Sequence, residues 1–272
     1  MICRIPRITA GAVATRLAWC RGMNSAGENP DYQRSFGGIA RLYGEEGLAC
    51  LQRCRVCVVG IGGVGSWAAE ALARSGIGEI TLIDMDHVAP SNINRQLVAL
   101  HSTAGEAKVR VSRQRILDIN PACRVNLHEE FLLPDNLDQL LDPALDAIVD
   151  CIDNFRHKAA LIAWCRRRKK IVVTVGGAGG KSDPGRLQIA DLSRTREDAL
   201  LSRTRKELRQ HYGFPRNPRR RFSVPAVFST EDSRGERGSC LNCGGLGSVT
   251  HVTAAAGLFA VSRVLELLQR RT

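Results

Sequence analysis

A glycine-rich turn between Arg55 and Ser66 constrains the fold of this chain more than any other segment. Three valines precede the turn and predict a strand that is buried on both faces of a parallel sheet. The glycines have the G-x-G-x-x-G spacing, at Gly60, Gly62 and Gly65. Such a turn lets the backbone approach a phosphate closely, and it directs the N-terminus of the next helix at the anion. The segment therefore predicts a nucleotide-binding turn.

The residues after the turn support this prediction. Ser66–Arg74 predicts a helix, Gly76 ends it, and Glu79–Asp84 predicts the next strand. Asp84 follows the last glycine of the motif by about 20 positions, where nucleotide-binding folds place an acid that binds a ribose hydroxyl. We therefore expect Asp84 in the nucleotide site.

The middle of the chain alternates between predicted strands and helices. Strands are predicted at Val125–His128, Leu145–Asp150 and Ile171–Val175, and helices at Gly105–Ile119, Asn136–Leu141 and Phe155–Cys165. This alternation predicts a doubly wound, mainly parallel α/β sheet with a Rossmann-like nucleotide-binding half. The pattern then changes to a basic C-terminal extension, with a strand at Leu187–Ile189, a basic helical stretch at Arg194–Tyr212, a basic loop at Pro215–Arg221 and a closing helix at Val249–Leu268.

The charge of the chain favours a polyanionic partner. Lys plus Arg total 39 against 27 Asp plus Glu, a formal net charge of +12. This excess favours nucleic acid, although surface charge also maintains solubility. The ten cysteines lie mostly in apolar runs, which is typical of a reducing compartment rather than of a disulfide scaffold.

The first 22 residues carry four arginines and no acid. This composition is consistent with an organelle transit peptide, with a flexible tail, or with translation that starts at Met23. The segment lacks the apolar core of a secretory signal, and no other stretch is expected to reach transmembrane length. We therefore expect no membrane contact and a cytoplasmic protein, or a mitochondrial one if Met1–Gly22 is a transit peptide.

Polar side chains follow the predicted strands at the sheet edge where ligands of such folds bind. They include carboxylates, amides, a guanidinium and an ammonium, a set that can bind a triphosphate and its Mg²⁺. Hydride transfer would need no such set. Taken singly, the basic residues could be solvated surface charges and the acids could be helix caps. The candidates are Asp84, Asp86, Ser91, Asn92, Arg95, Lys108 and Asp153.

Several motifs together resemble a known superfamily. Gly60–Gly65, Asp84-x-Asp86, Ser91-Asn92-x-x-Arg95-Gln96, Lys108 and Asp153-Asn154 resemble the adenylation domain of ubiquitin-activating-type enzymes. Within that superfamily, the chain from about Arg34 to the C-terminus is similar to the tRNA threonylcarbamoyladenosine dehydratases. This likeness is carried by Phe36-Gly37-Gly38, Ala40–Gly44, Gly62–Arg74, Leu82–Asp86, Lys158–Ala163, Gly176–Gly180 and Phe228–Glu231.

The resemblance implies an adenylating domain over residues 29–272, preceded by a tail over residues 1–28. It implies that ATP activates the threonyl carboxylate of threonylcarbamoyladenosine in tRNA, which then cyclises and releases AMP. It further implies that Gly63 approaches the phosphates, that Asp84 holds the ribose and that Asn92 and Arg95 bind phosphate. Lys108 would neutralise developing charge, and Asp153 would hold Mg²⁺. The implied catalytic set is Arg95, Lys108 and Asp153, and the implied nucleotide-binding set adds Gly60, Gly62, Gly63, Gly65, Asp84, Asp86, Ser91, Asn92 and Asn154.

The chain also departs from its superfamily. Related enzymes often hold zinc with two Cys-x-x-Cys pairs, and here the candidate pair is Cys240 and Cys243, since Cys54 and Cys57, which have the same spacing, belong to the apolar run before the glycine turn. Four ligands are needed for a closed zinc site, so we expect no zinc. A sulfur-relay partner for this pair stays open. Arg34 and Arg41 are candidates for an arginine supplied by a partner subunit, but neither is assigned.

Three functions remain open from the sequence. The first is the ATP-dependent tRNA dehydratase, acting as a homodimer. The second is an adenylyltransferase for a ubiquitin-like sulfur-carrier protein, and the third is a plain dinucleotide-binding dehydrogenase. For tRNA, two basic clusters are candidates, Arg166–Lys170 and Arg216 with Arg219, Arg220 and Arg221. We expect one or both to contact phosphate, although the first could be a solvated helix end.

Overall fold

The structure, a computed structural model, describes residues 30–233 and 246–270. The predicted tail at residues 1–28 and the pair Cys240 and Cys243 lie outside the described residues. The helices are α1 (Pro30–Arg53), α2 (Gly65–Arg74), α3 (Lys108–Ile119), α4 (Leu137–Leu140), α5 (Phe155–Arg167), α6 (Ala199–His211) and α7 (Thr250–Gln269). The strands are β1 (Arg55–Val59), β2 (Glu79–Ile83), β3 (Arg124–His128), β4 (Ala147–Asp150), β5 (Ile171–Val175), β6 (Leu187–Asp191) and β7 (Pro225–Ser229).

The seven strands form one sheet in the order β3-β2-β1-β4-β5-β7-β6. All neighbours pair in parallel except β6 and β7, which are antiparallel. The strand β1 lies between β2 and β4 and places Val56 opposite Ile80 of β2 and Ala147 of β4. The strand order reverses between β1 and β4, the point at which such sheets bind ligands. The predicted mainly parallel α/β fold is confirmed.

Helices cover both faces of the sheet and bury two apolar cores. One core joins α2, α3 and α7 to the sheet, and Leu72, Ile80 and Val264 are among its fully buried side chains. The other core joins α4, α5 and α6, with Trp164 and Leu201 inside it. Burial on both faces explains why the strands are almost continuously apolar instead of alternating.

Three differences from the sequence predictions concern a missed strand and the starts of two helices. The strand β7 was not predicted, because its five residues follow a basic loop and begin at Pro225. The helix α6 begins at Ala199, after Asp198 caps it by accepting a hydrogen bond from the backbone N of Leu201. The helix α3 begins at Lys108, because Ala107 pairs with His87 in an isolated bridge. The basic C-terminal extension is thus built into the same sheet through β6 and β7.

The C-terminal helix α7 corrects a further expectation. By length and apolar composition it could cross a membrane, although no such stretch was expected. About half of the helix is buried inside the fold, where α7 packs against α2, β5 and β7. An apolar helix buried in this way is the core helix of an α/β sheet.

Candidate nucleotide-binding site

The glycine turn joins β1 to α2 and packs tightly on the side of β4. Gly60 has φ +86°, and a Cβ there would lie 2.9 Å from the carbonyl oxygen of Cys151. A Cβ on Gly65 would overlap the carbonyl oxygen of Gly60. A Cβ on Gly62, by contrast, would contact nothing within 4 Å. Gly60 and Gly65 are therefore required by the turn itself, whereas Gly62 leaves open space for a ligand.

The carboxylate of Asp84 fixes the turn to the end of β2. Its Oδ2 accepts a hydrogen bond from the backbone N of Ile61, and its Oδ1 accepts one of 2.7 Å from the backbone N of Asp86. Burial raises the pKa of Asp84 above its ordinary value, while the charge of Lys108 and these two backbone donors offset part of the rise. The structure thus places Asp84 directly against the glycine turn.

Lys108 is held beside Asp84 by an ion pair. Its Nζ donates to Oδ2 of Asp86 at 2.8 Å, and its backbone N donates to the carbonyl oxygen of Asp86 at 3.1 Å. The Lys108 side chain is 5% exposed, whereas that of Asp86 is 56% exposed. A buried ammonium needs a paired carboxylate, so Asp86 fixes the Lys108 charge in position.

The loop that carries Arg95 approaches the turn from another side. A Cβ on Gly63 would lie 3.5 Å from Cγ of Arg95 and 3.1 Å from Cγ2 of Thr253 in α7. The Nε1 of Trp67 donates to the carbonyl oxygen of Arg95 at 3.2 Å. The backbone of Arg95 is therefore anchored by the first turn of α2 next to Gly63.

The side chains of this loop are partly engaged within it. Nη1 of Arg95 donates to the carbonyl oxygen of Ser91 at 2.7 Å and to Oδ1 of Asn94 at 3.0 Å. Asn92 is buried, and its Oδ1 accepts a hydrogen bond of 3.1 Å from the backbone N of Ala89. Ser91 and Asn92 thus shape the loop, and Arg95 is the residue that brings positive charge to it.

Asp153 and Asn154 follow β4 and differ in their surroundings. Both are exposed at the edge where the parallel strands end. Oδ1 of Asn154 accepts hydrogen bonds from the backbone N of Arg156 at 2.9 Å and from that of His157 at 3.3 Å. This capping of α5 accounts for Asn154 without a ligand. Asp153 lies two residues after Cys151, whose carbonyl contacts the glycine turn.

A buried polar network beneath this loop was not predicted. Nζ of Lys158 lies 2.9 Å from Oδ2 of Asp150, and both side chains are fully buried. Oγ1 of Thr174 donates to Oδ2 of Asp150 at 2.7 Å, and Oδ1 of Asp150 accepts a hydrogen bond of 3.1 Å from the backbone N of Ile152. Asp150 therefore holds the start of the loop that carries Asp153. The sequence signal that could have revealed this network is Lys158, a lysine next to the apolar run of α5.

Cys151 lies beside the turn, but its thiol is not poised for chemistry. Burial raises its pKa to about 12. Its thiolate fraction at neutral pH is therefore negligible, and the thiolate is the reactive form. The nearest cysteine of the described site thus packs as an apolar side chain.

The predicted RNA-contacting arginines lie elsewhere. Arg219, Arg220 and Arg221 are exposed in the loop before β7, at the sheet edge where the parallel strands begin. The nucleotide turn and Asp153 lie at the opposite edge. The structure therefore does not bring these arginines into the nucleotide site.

The fold and the site define a nucleotide-binding α/β protein with basic and acidic groups arranged around a phosphate-binding turn. The ThiF family model matches residues 32–271. The tRNA threonylcarbamoyladenosine dehydratase of Haemophilus influenzae is 49% identical over 249 residues, which are 89% of this chain and 95% of that protein. The chain belongs to the ThiF family and, within it, groups with the tRNA threonylcarbamoyladenosine dehydratases. The predicted resemblance is confirmed.

Solved structures agree with this assignment. The crystal structure of the Escherichia coli tRNA N6-threonylcarbamoyladenosine dehydratase in complex with ATP has a TM-score of 0.83 and 46% identity, covering 89% of this chain and 96% of that one. The same enzyme in complex with AMP gives a TM-score of 0.85 at 46% identity, with 90% and 98% covered. By contrast, an adenylyltransferase and sulfurtransferase from Drosophila willistoni is 34% identical over only 48% of this chain and 29% of its own length.

Proposed function

We propose that this protein is the ATP-dependent dehydratase that cyclises threonylcarbamoyladenosine in tRNA. The observation that carries the proposal is a set of charged groups around the open glycine turn, namely Asp84, the Lys108–Asp86 pair and Arg95. The chain that holds them matches such a dehydratase over 89% of its length. The E. coli relative binds ATP and AMP, the first substrate and the last product of this reaction.

The reaction proceeds in two steps. A carboxylate oxygen of the threonyl group attacks the α-phosphorus of ATP, the bond from that phosphorus to its bridging oxygen breaks, and pyrophosphate leaves. A nucleophile of the carbamoyl group then attacks the acyl carbon and loses its proton, the acyl–oxygen bond breaks, and AMP leaves. Adenylation is needed because an unactivated carboxylate has a poor leaving group.

The side chains of the site have distinct roles in these steps. The backbone at Gly62 and Gly63 approaches the phosphates, and Asp84 accepts a hydrogen bond from the ribose. Lys108 and Arg95 place positive charge where negative charge builds up on the transferring phosphoryl group. Preorganised charge of this kind is often the largest contribution to rate enhancement. Ser91, Asn92 and Asn154 support the loops that carry these groups.

The residues present fit a bound Mg²⁺ of the kind that nucleotide enzymes use. Among the described residues, no group of three His, Cys, Asp or Glu side chains could hold a metal. Mg²⁺ is commonly bound by one or two carboxylates together with substrate phosphates and water. Asp153, exposed at the carboxyl edge beside the turn, is the residue that would hold it. The ion would neutralise phosphate charge as a Lewis acid.

The competing function is adenylation of a ubiquitin-like carrier protein. The buried Cys151, with its raised pKa, argues against a sulfur-transfer role for that thiol. An assay of ATP consumption with modified tRNA, with a carrier protein and with neither separates the functions. The proposal expects AMP only with modified tRNA. AMP formation that depends on the carrier protein would support the alternative, and NAD binding without ATP turnover would support a dehydrogenase.

The proposal also includes a homodimer in the cytoplasm. Within the described residues, Gly180 is buried and its backbone N donates to the carbonyl oxygen of Gly247 at 2.7 Å, and nine residues of α7 are buried inside the fold. Leu258 and Phe259 of α7 remain 51% and 38% exposed and are the apolar surface that a second copy would cover. Sedimentation of wild type and of Leu258→Glu/Phe259→Glu tests this, because only the variant should be monomeric. A wild-type protein that is monomeric and fully active would contradict the proposed dimer. A sulfur-relay partner has no support from the described residues.

A further inference from the structure

A surface cavity of about 430 Å³ opens where α5, the end of α6 and the loop before β7 meet. Arg166 and Arg167 line it from the last turn of α5 and the residue pair Arg220 and Arg221 lines it from the loop. The fold thus joins two basic clusters that are far apart in the sequence. Arg216 and Arg219, which belong to the same predicted cluster as Arg220 and Arg221, are not part of the lining.

The charged side chains that line this cavity are all positive. Its lining contains no Asp or Glu. Within residues 30–233 and 246–270, none of its four arginines takes part in an ion pair, whereas the neighbouring Arg168 pairs with Asp138. The α5 macrodipole accounts for cations at a helix C-terminus, but it does not account for Arg220 and Arg221, which come from a loop. Several guanidinium groups on one concave surface match the geometry of phosphate oxygens.

The walls of the cavity are ordered by packing. The rings of Phe214 and Phe222 meet edge to face with centroids 5.0 Å apart. The guanidinium of Arg209 lies 5.2 Å from the centroid of Phe222, and the backbone N of Phe222 donates to Oδ1 of Asp191 at 2.9 Å. The half-buried rings of Tyr212 and Phe214 also line the cavity. Arginines beside aromatic rings are the combination that binds a nucleic-acid strand through its phosphates and its planar groups.

The cavity lies apart from the nucleotide site. Arg167 ends α5 just before β5 begins, and Arg221 just precedes β7, the parallel neighbour of β5. The glycine turn and Asp153 lie where the parallel strands end. A strand of five residues spans roughly 17 Å, so a single nucleotide cannot reach both places but a polynucleotide can.

We propose that this arginine cavity is a docking site for the phosphodiester backbone of the RNA substrate, remote from the adenylating turn. The proposal rests on the proposed function, since it takes RNA to be the substrate. Because the cavity holds the RNA without touching the reacting atoms, its loss should act on the binding of tRNA and on the KM for tRNA, not on the KM for ATP.

The test compares two double variants that each remove two positive charges. Arg220→Gln/Arg221→Gln alters the cavity, and Arg113→Gln/Arg124→Gln alters exposed arginines at the β3 end of the sheet. The affinity of unmodified tRNA is measured by fluorescence anisotropy over a range of salt concentrations. The cavity variant should flatten the slope of log Kd against log salt by about 1.4 to 1.8, because each of the two lost phosphate contacts removes about 0.7 to 0.9. Arg220→Lys/Arg221→Lys should restore most of the slope.

Other outcomes separate this inference from the proposed function. An unchanged slope in the cavity variant, or equal slopes in the cavity and control variants, overturns the docking site. Displacement of tRNA by inorganic phosphate at equal concentration of phosphoryl groups also overturns it, because the site would then take a free anion. If wild-type AMP release does not depend on modified tRNA, the proposed function fails, whatever the slopes are. Arg166→Gln/Arg167→Gln is a second, independent variant of the same cavity, and it should reproduce the flattened slope.

Discussion

The Nζ of Lys158 lies 2.9 Å from the Oδ2 of Asp150, and both side chains are fully buried beneath the loop that carries Asp153. Asp150 also accepts hydrogen bonds from Oγ1 of Thr174 and from the backbone N of Ile152. The pair therefore links the interior of the sheet to the edge that carries the proposed phosphate site. Neither partner of such a buried pair can be removed alone without a large loss of stability, because the remaining charge would be buried without a counter-charge.

Replacing one partner of this pair should be strongly destabilising. We expect Lys158→Met to lower the free energy of unfolding by about 3–5 kcal/mol, since it leaves an uncompensated buried carboxylate. The double variant Lys158→Met/Asp150→Asn removes both charges and should recover part of the loss. Urea denaturation followed by circular dichroism measures both values. A Lys158→Met variant as stable as the wild type would show that the pair has no such role.

Gly65 and Gly62 of the turn should respond differently to replacement by alanine. Gly65→Ala should prevent folding, because its Cβ would overlap the carbonyl oxygen of Gly60. Gly62→Ala should keep the wild-type melting temperature, because its Cβ meets nothing within 4 Å. It should nevertheless weaken ATP binding by about a hundredfold, since the added methyl group displaces the phosphates from the backbone. Thermal melting with and without ATP gives both quantities. An unchanged shift of the melting temperature by ATP in Gly62→Ala would place the phosphates elsewhere.

Asp153 should be required for adenylation but not for folding. Asp153→Ala should slow pyrophosphate exchange by about a hundredfold or more, because loss of a metal ligand removes several kcal/mol of transition-state stabilisation. Raising the Mg²⁺ concentration should recover part of the rate. The exposed Asp135 provides the matched control, and Asp135→Ala should keep the wild-type rate. Wild-type exchange by Asp153→Ala would reject the assignment of Asp153 as the ligand.

The binding of ATP should depend on pH through Asp84. Because burial raises the pKa of this carboxyl above its ordinary value of 3.8, the folded protein holds the proton to higher pH than the unfolded chain does. The contribution of this group to stability is therefore present at low pH and is lost as the pH rises from 3.8 through the raised pKa. ATP affinity should instead rise with pH over this range. The ionised carboxylate of Asp84 can accept hydrogen bonds from the ribose with both oxygens, whereas the protonated carboxyl carries an O–H donor.

The matched variant for this prediction is Asp84→Asn. Its ATP affinity should be lower at neutral pH and nearly independent of pH in the acid range, where the wild-type affinity falls. Calorimetric titration with ATP at several pH values measures the difference. Identical pH profiles for the two proteins would mean that Asp84 does not titrate in the binding equilibrium.

The sequence predicted the parts of the site that depend on local pattern. The glycine turn and Asp84 follow from spacing along one β-α-β unit, and the structure places them in contact. The parallel sheet follows from the alternation of apolar runs with helices. Lys108 was predicted from its type and the resemblance, but its pairing with Asp86 is a tertiary contact that only the fold reveals.

The parts that the sequence missed depend on long-range contacts. Nothing in the sequence around Thr253 shows that α7 approaches Gly63. Lys158 and Asp150 lie in separate apolar runs, so their pairing is invisible until α5 packs on the sheet. The two arginine clusters likewise meet only because the end of α5 lies next to the loop before β7.

The dehydratase function is tested by measuring the release of AMP in parallel reactions on tRNA that carries threonylcarbamoyladenosine and on the same tRNA without the modification. Mass spectrometry of the nucleosides follows the loss of one water from the modified base. We expect one AMP for each nucleoside that is dehydrated, and no AMP above background on unmodified tRNA, although that tRNA still binds. AMP released on unmodified tRNA, or modified tRNA left uncyclised in the presence of ATP and Mg²⁺, would contradict it.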